Sequence, residues 1–218
     1  LAGSEVDIVI GTSRSLIDHS EYDGSVSSFI EQLGELSDTQ KSHIHLATEN
    51  GAVISTLDNP GSPHEQHLLT DELASAVSSI LTTLPFTVKT YRERGTLVLR
   101  GFGQDGKQEF MDSLRRKINR LGLPLKVGSD SRYSIHVRVT GASKRNILNW
   151  LESKGININD IAKIGDSPEE DDRPMLWGRG SFSVGESSNN GTLWTIYPEH
   201  GGGPAETEKL LKLLQFSK

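Results

Sequence analysis

The stretch Ile161-Ala162-Lys163-Ile164-Gly165-Asp166-Ser167-Pro168-Glu169-Glu170-Asp171-Asp172 decides the fold class. It joins a short apolar run, typical of a strand buried on both faces of a parallel sheet, to a loop of clustered carboxylates. In an open α/β sheet, ligands bind beyond the carboxyl ends of the strands. A solvated acid-rich loop is the alternative, but the position directly after a buried strand favours a site for a hard cation such as Mg²⁺.

Two other polar segments occupy comparable positions. Residues 6–10 form a β-branched run, typical of another buried strand, and Thr12-Ser13-Arg14 follow it. Ser143-Lys144 begins a predicted helix over residues 143–154, with Ser143 as its cap. A hydroxyl and an amine bind phosphate oxygens, which phosphoryl transfer requires. Thr12 could instead bond its own backbone, and Lys144 could be a surface lysine, so only the combination indicates a phosphate site.

The segment between these clusters has a different order of predicted helices and strands. Helical patterns at residues 70–84 and 108–121 are each followed by a pair of strand patterns, at 86–91 with 96–99 and at 123–127 with 133–139. This repeat predicts an α+β module with both helices on one face of an antiparallel sheet. We therefore predict an α/β core of residues 1–67 and 141–218, interrupted by an α+β insertion over residues 68–140. The polar loop 58–67 marks the first boundary.

Smaller signals complete the predicted elements. Strands at residues 44–47 and 52–54 flank Glu49-Asn50-Gly51, and Asn-Gly is a strong turn signal. A helix is expected over residues 25–36, and Pro204 opens a final one. Residues 161–164, 182–184 and 193–196 are predicted strands. On the last strand of the insertion, His136 and Arg138 alternate with apolar residues, so their face meets either solvent or a substrate.

Composition narrows the function classes. The 218 residues carry 23 Lys and Arg against 29 Asp and Glu, a formal net charge of −6, which argues against nucleic acid as a partner. There is no cysteine, which excludes disulfides, thiolate catalysis and cysteine-bound zinc. No apolar run approaches the ~20 residues of a membrane helix. We expect a cytoplasmic protein with no membrane partner.

Four segments together resemble motifs of the haloacid dehalogenase superfamily. Ile10-Gly11-Thr12-Ser13-Arg14 is similar to its second motif, Gly141-Ala142-Ser143-Lys144 to its third, and Gly165-Asp166-Ser167 with Asp171 or Asp172 to its fourth. Glu49-Asn50-Gly51-Ala52 resembles the family's Asn-Gly-Ala turn. The resemblance implies an α/β fold with a Rossmannoid parallel-sheet core and an inserted α+β cap of type IIB. It is closest to sucrose-phosphate phosphatases and the phosphatase-like C-terminal domain of sucrose-phosphate synthases.

The resemblance also implies a set of site residues. Thr12, Lys144 and Asp166 would be catalytic, and Asp166 with Asp171 or Asp172 would bind the cofactor Mg²⁺. A small phosphorylated sugar would be the substrate. Its contacts would come from Ser13, Arg14, Asn50, Ser167, His136 and Arg138.

One family feature is missing from this sequence. The first motif, Asp-x-Asp-x-Thr, supplies the nucleophile in the family and does not occur here. The stretch Asp7-Ile8-Val9-Ile10-Gly11-Thr12 echoes it only faintly. We expect the motif upstream of Leu1, or lost. The resemblance then implies a Mg²⁺-dependent sugar phosphatase acting through an aspartyl-phosphate, or an inactive phosphosugar-binding domain attached to a glycosyltransferase. A phosphomutase or phosphotransferase of the same fold is a third alternative.

Overall fold

The computed structural model describes residues 7–12, 15, 30–31, 35–101, 106–129, 134–165, 175–176, 181–183 and 194–195. The chain divides into two compact units, an N-terminal unit Leu1–Ala142 and a C-terminal unit Ser143–Lys218. Among the described residues, no helix combines the length and apolar character needed to cross a membrane.

The N-terminal unit begins with a four-stranded sheet in the order β1-β2-β3-β4. The strands are β1 (Ile8–Gly11), β2 (Ile44–Thr48), β3 (Val53–Thr56) and β4 (His64–Glu65). β1 pairs with β2 in parallel, and the other neighbours are antiparallel. Because Gly11 is in register with Ala47, the carboxyl ends of β1 and β2 lie at the same edge of the sheet.

A second, antiparallel sheet in the order β5-β6-β8-β7 belongs to the same unit. Its strands are β5 (Lys89–Arg92), β6 (Thr96–Arg100), β7 (Leu125–Gly128) and β8 (Ser134–Val139). The two helices are α2 (Asp71–Leu81) and α3 (Lys107–Arg120). We call the module from α2 to β8 the cap.

One apolar cluster holds the cap together. Alternate residues of β6, β7 and β8 face the two helices, and Phe110, Leu114 and Ile118 of α3 are buried among them. The ring of Phe110 meets that of Phe86 edge-on, with centroids 5.2 Å apart. Both helices therefore lie on one face of the sheet, which confirms the prediction for this segment.

The C-terminal unit contains one described helix and a three-stranded parallel sheet. The elements are α4 (Arg145–Ser153), β9 (Lys163–Gly165), β10 (Ser181–Ser183) and β11 (Trp194–Thr195). The strand order is β11-β10-β9, with both pairings parallel. Ile147, Leu148 and Leu151 form the buried face of α4. The parallel strands after the cap confirm the predicted return to an α/β arrangement.

Several element boundaries differ from the predictions. Helix α1 (Asp38–Ser42) was not predicted; Ser37 and Gln40 form a capping box at its start, and none of its residues is buried. In the predicted helix 25–36, residues 30–31 are helical and residues 35–36 are not. β4 forms within the loop predicted at 58–67, where it pairs with β3. The remaining residues of helix 25–36 and the helix predicted from Pro204 lie outside the described part of the chain.

Three further predictions about the ends of helices need correction. α2 ends at Leu81 and not at residue 84; beyond it, the amides of Thr83 and Leu84 donate to carbonyls only three positions earlier, those of Ile80 and Leu81. Leu121, the last residue of the helix predicted over residues 108–121, follows α3 and is 61% exposed. Ser143 is not the cap of α4: Lys144 holds that position, and no side chain caps the helix there.

We expect Phe110→Ala to destabilise the protein by about 3–5 kcal/mol, because it removes a fully buried ring from the cap cluster. Urea denaturation measures the change. Leu121→Ala is the matched control and should stay within about 0.5 kcal/mol of the parent, since the side chain is exposed. Equal losses in the two variants would contradict the described cap core.

Candidate functional site

The site begins where β1 and β2 end side by side. The amide of Thr12 donates to the carbonyl of Ala47 at 2.9 Å, which extends the parallel pairing beyond Gly11. The amide of Asn50 then donates to the carbonyl of Thr12 at 3.0 Å. Thr12 and Asn50, both predicted site residues, are therefore brought together through their backbones.

The residues Glu49, Asn50 and Gly51, which we call the Glu49 turn, have a strained backbone. Their φ angles are 52°, 58° and 77°, so three consecutive residues adopt the left-handed conformation. Glycine and asparagine tolerate this conformation, but glutamate does not favour it. Backbone strain of this kind persists only where surrounding contacts determine it, and it concentrates at functional sites.

Asn50 has an incomplete set of hydrogen bonds. The residue is 1% exposed, and its Nδ2 has no hydrogen-bond partner within the part of the chain that the structure describes. Leaving a buried amide donor unsatisfied is costly, so such groups usually have a role. An oxygen acceptor on a bound molecule would satisfy this donor.

Glu49 is a buried residue that the sequence analysis did not select as a site residue. Its side chain is 1% exposed; Oε1 accepts from Oγ of Ser15 at 3.0 Å, and Oε2 accepts from the amide of Gly95 at 2.5 Å. Burial raises the pKa of Glu49, while the amides of Gly95 and Arg94, the Ser15 hydroxyl and the Arg94 charge oppose that rise. The sequence does contain a signal for this buried residue: Glu49 lies between two apolar strand patterns and directly precedes Asn-Gly.

His136 and Arg138 lie on the cap sheet face opposite the helices. His136 is in register with Val98, and Arg138 with Thr96. Both are buried, at 3% and 4% exposure, so the alternative of a solvated face is wrong. Their contact with a substrate stays a prediction.

Of the other predicted site residues, the structure describes only Lys144. Lys144 is partly buried at the start of α4, and β9 ends at Gly165, directly before Asp166. Ser13, Arg14, Asp166, Ser167, Asp171 and Asp172 lie outside the described residues. The described ranges contain no group of three or more acidic or histidine side chains placed to hold a metal ion.

Lys163 on β9 was also not identified from the sequence. It is buried, and its Nζ donates to the carbonyl of Ile158 at 3.2 Å. Burial and the nearby Arg145 lower the pKa of Lys163. The lysine therefore anchors the loop that leads into β9.

Comparison with solved structures identifies the fold. No family model matches the chain, and no curated protein is similar to it in sequence. A haloacid dehalogenase-like hydrolase from Bacteroides thetaiotaomicron aligns with a TM-score of 0.64 and 13% identity, over 96% of this chain and 100% of that one. The sucrose-phosphatase from Synechocystis sp. PCC6803, solved with sucrose and phosphate, aligns with a TM-score of 0.60 and 13% identity, over 97% and 86%.

A subclass IIB sugar phosphatase is similar to the same extent, with a TM-score of 0.59 and 12% identity over 96% of this chain and 84% of that one. The chain therefore has the haloacid dehalogenase-like fold, an α/β core with an inserted α+β cap, as the sequence motifs indicated. The exact boundaries of the core and the cap stay a prediction.

We expect the stability contributed by Glu49 to depend on pH. Since its pKa is raised in the folded protein, its contribution is fully present below the ordinary value of 4.5 and is lost as the pH rises through the folded value. Glu49→Gln removes this term, so the free energy of unfolding should fall less steeply with rising pH than in the parent. Urea denaturation at several pH values measures the difference.

Glu72→Gln is the control, because the stability contributed by Glu72 changes with pH in the opposite direction. Hydrogen bonds from its own amide and from Thr70 lower the pKa of Glu72, so its contribution is lost as the pH falls. Parallel pH profiles for the parent and Glu49→Gln would contradict the burial of a titrating carboxylate at position 49.

Proposed function

We propose that the protein is a Mg²⁺-dependent phosphatase that acts on a phosphorylated sugar, similar to sucrose phosphate, through an aspartyl-phosphate. The observation that carries the proposal is the pairing of Thr12 with Asn50 at the carboxyl edge of parallel strands, where Nδ2 of Asn50 is a donor with no partner among the described residues. The fold shared with a sucrose-phosphatase solved with sucrose and phosphate supports it.

Each proposed ligand of the phosphoryl group has a distinct task. The hydroxyl of Thr12 donates to one phosphoryl oxygen, and the ammonium of Lys144 neutralises charge on another. The side-chain amide of Asn50 donates through Nδ2 to a phosphoryl or sugar oxygen. Ser13, Arg14 and Ser167 add further donors, while His136 and Arg138 contact the sugar from the cap. These groups position the phosphoryl group and stabilise the charge that develops on it.

The residues that would hold Mg²⁺ are Asp166 and either Asp171 or Asp172. The strand β9 runs parallel to β10 and ends directly before Asp166, so a carboxylate follows the carboxyl end of a parallel strand. Carboxylate oxygens are the ligands that Mg²⁺ prefers. When bound, the ion would neutralise charge on the phosphoryl oxygens.

A second candidate function is a non-catalytic phosphosugar-binding domain attached to a glycosyltransferase. The absence of Asp-x-Asp-x-Thr from the 218 residues favours it. The phosphatase requires a nucleophilic aspartate supplied from outside these residues. The binding domain requires only the phosphate ligands.

We expect Thr12→Val to weaken the binding of inorganic phosphate about tenfold or more, since a hydrogen bond to a charged group contributes about 1.5–3 kcal/mol. The change keeps the shape of the side chain and removes the hydroxyl. Isothermal titration calorimetry measures the Kd. Thr90→Val, on the exposed strand β5, is the control and should leave the Kd unchanged. Equal Kd values for all three proteins would place phosphate elsewhere.

Turnover distinguishes the two functions. We expect the natural full-length protein to release phosphate from sugar phosphates, including sucrose 6-phosphate, only with Mg²⁺. Asp166→Ala should abolish that release, and Asp160→Ala, at an exposed residue, should not. If no sugar phosphate is hydrolysed but one of them raises the Tm, the binding domain is the function and the phosphatase proposal is wrong.

A further inference from the structure

The Glu49 turn contacts two parts of the N-terminal unit through adjacent residues. The carboxylate of Glu49 accepts from Gly95, in the turn of residues 93–95 between β5 and β6, which we call the cap turn. The next residue, Asn50, donates through its backbone amide to the carbonyl of Thr12. The same carboxylate also accepts from Ser15, three positions after Thr12.

The contact between the Glu49 turn and the cap turn is close-packed. A Cβ atom on Gly95 would lie 2.7 Å from Cβ of Ala52 and 3.4 Å from Oε2 of Glu49. No side chain fits that space without displacing one of the two turns. The backbone of Gly95 therefore lies directly against the core strands, and the glycine is required for this approach.

The chain between β3 and α2 reinforces the same contact. Gln66 donates its amide to the carbonyl of Ala52 at 2.8 Å and its Nε2 to the carbonyl of Gly51 at 3.0 Å. The amide of Leu69 donates to the carbonyl of Arg94 at 2.8 Å, and the guanidinium of Arg94 pairs with Glu65. The cap turn and the Glu49 turn are thus each bonded to this connecting segment as well as to each other.

We infer that Glu49 is a positioning residue, which couples the contact between the cap turn and the Glu49 turn to the placement of Thr12 and Ser15. The inference rests on the proposed function, in which Thr12 binds the phosphoryl group. The left-handed backbone at Glu49 is retained because both carboxylate oxygens have donors. When the cap turn is displaced, Oε2 loses its donor and the turn that fixes Thr12 loses one of its restraints. Phosphate binding is therefore strongest when the cap turn is in contact with the Glu49 turn.

The test compares two glycine variants. Gly95→Ala pushes the cap turn away from Ala52, whereas Gly61→Ala adds a methyl group in open space within the same unit. We expect Gly95→Ala to raise the Kd for inorganic phosphate about fivefold or more, a typical coupling between sites, and Gly61→Ala to leave it unchanged. Glu49→Ala should match Gly95→Ala, and Glu49→Gln, which keeps one acceptor oxygen, should lie between it and the parent.

Hydrogen exchange by mass spectrometry separates this inference from the proposed function. In Gly95→Ala, coupling predicts faster exchange at residues 8–12 and 47–52 as well as at the cap turn. Faster exchange at the cap turn alone overturns the inference, whether or not phosphate binds. If the parent does not bind phosphate, the proposed function fails, and the exchange pattern still decides the coupling.

Ser15→Ala is the second variant, in case Gly95→Ala does not fold. It removes the hydroxyl that donates to Oε1 and introduces neither charge nor bulk. Coupling predicts faster exchange at the Glu49 turn and at the cap turn, since the carboxylate that joins them loses a partner. Unchanged exchange at the cap turn in Ser15→Ala contradicts the inference.

Discussion

A carboxylate excluded from water needs hydrogen-bond donors, and the N-terminal unit is arranged around that requirement at Glu49. Ser15 and Gly95 supply donors to the two oxygens, Ser15 from the segment after β1 in the chain and Gly95 from the cap turn. Removing either partner would leave an unsatisfied acceptor in a buried position, which is costly. The two sheets of this unit are therefore held by a polar contact of defined geometry, in addition to apolar packing within each of them.

Parallel strand pairing explains why polar residues gather where the proposed chemistry requires them. In the N-terminal unit, β1 and β2 end at the same edge, so Thr12 and the Glu49 turn come into hydrogen-bond contact. In the C-terminal unit, β9 pairs in parallel with β10 and ends directly before Asp166. Each unit thus places proposed phosphate or metal ligands after the carboxyl end of a parallel strand.

The sequence predicts the elements with clear periodicity and misses features that depend on distant contacts. The strands near residues 8–11 and 44–48 and the helix Lys107–Arg120 were predictable from β-branched runs and an apolar face. Helix Asp38–Ser42 has no buried residue and β4 has two residues, so neither leaves a periodic signal. The Asn-Gly turn was predicted, but the partners of Glu49 lie 34 and 46 positions away in the chain. Local pattern does not encode such pairings.

The measurement that tests the account most directly is a titration of the ¹⁵N-labelled protein with inorganic phosphate, followed by the chemical shifts of its backbone amides. The account predicts that the amides of Thr12 and Asn50 shift first and saturate with one Kd, while those on the outer surfaces of the cap helices do not move. Shifts confined to other residues, or no saturable shift at these two, would contradict a phosphate site at the carboxyl ends of β1 and β2.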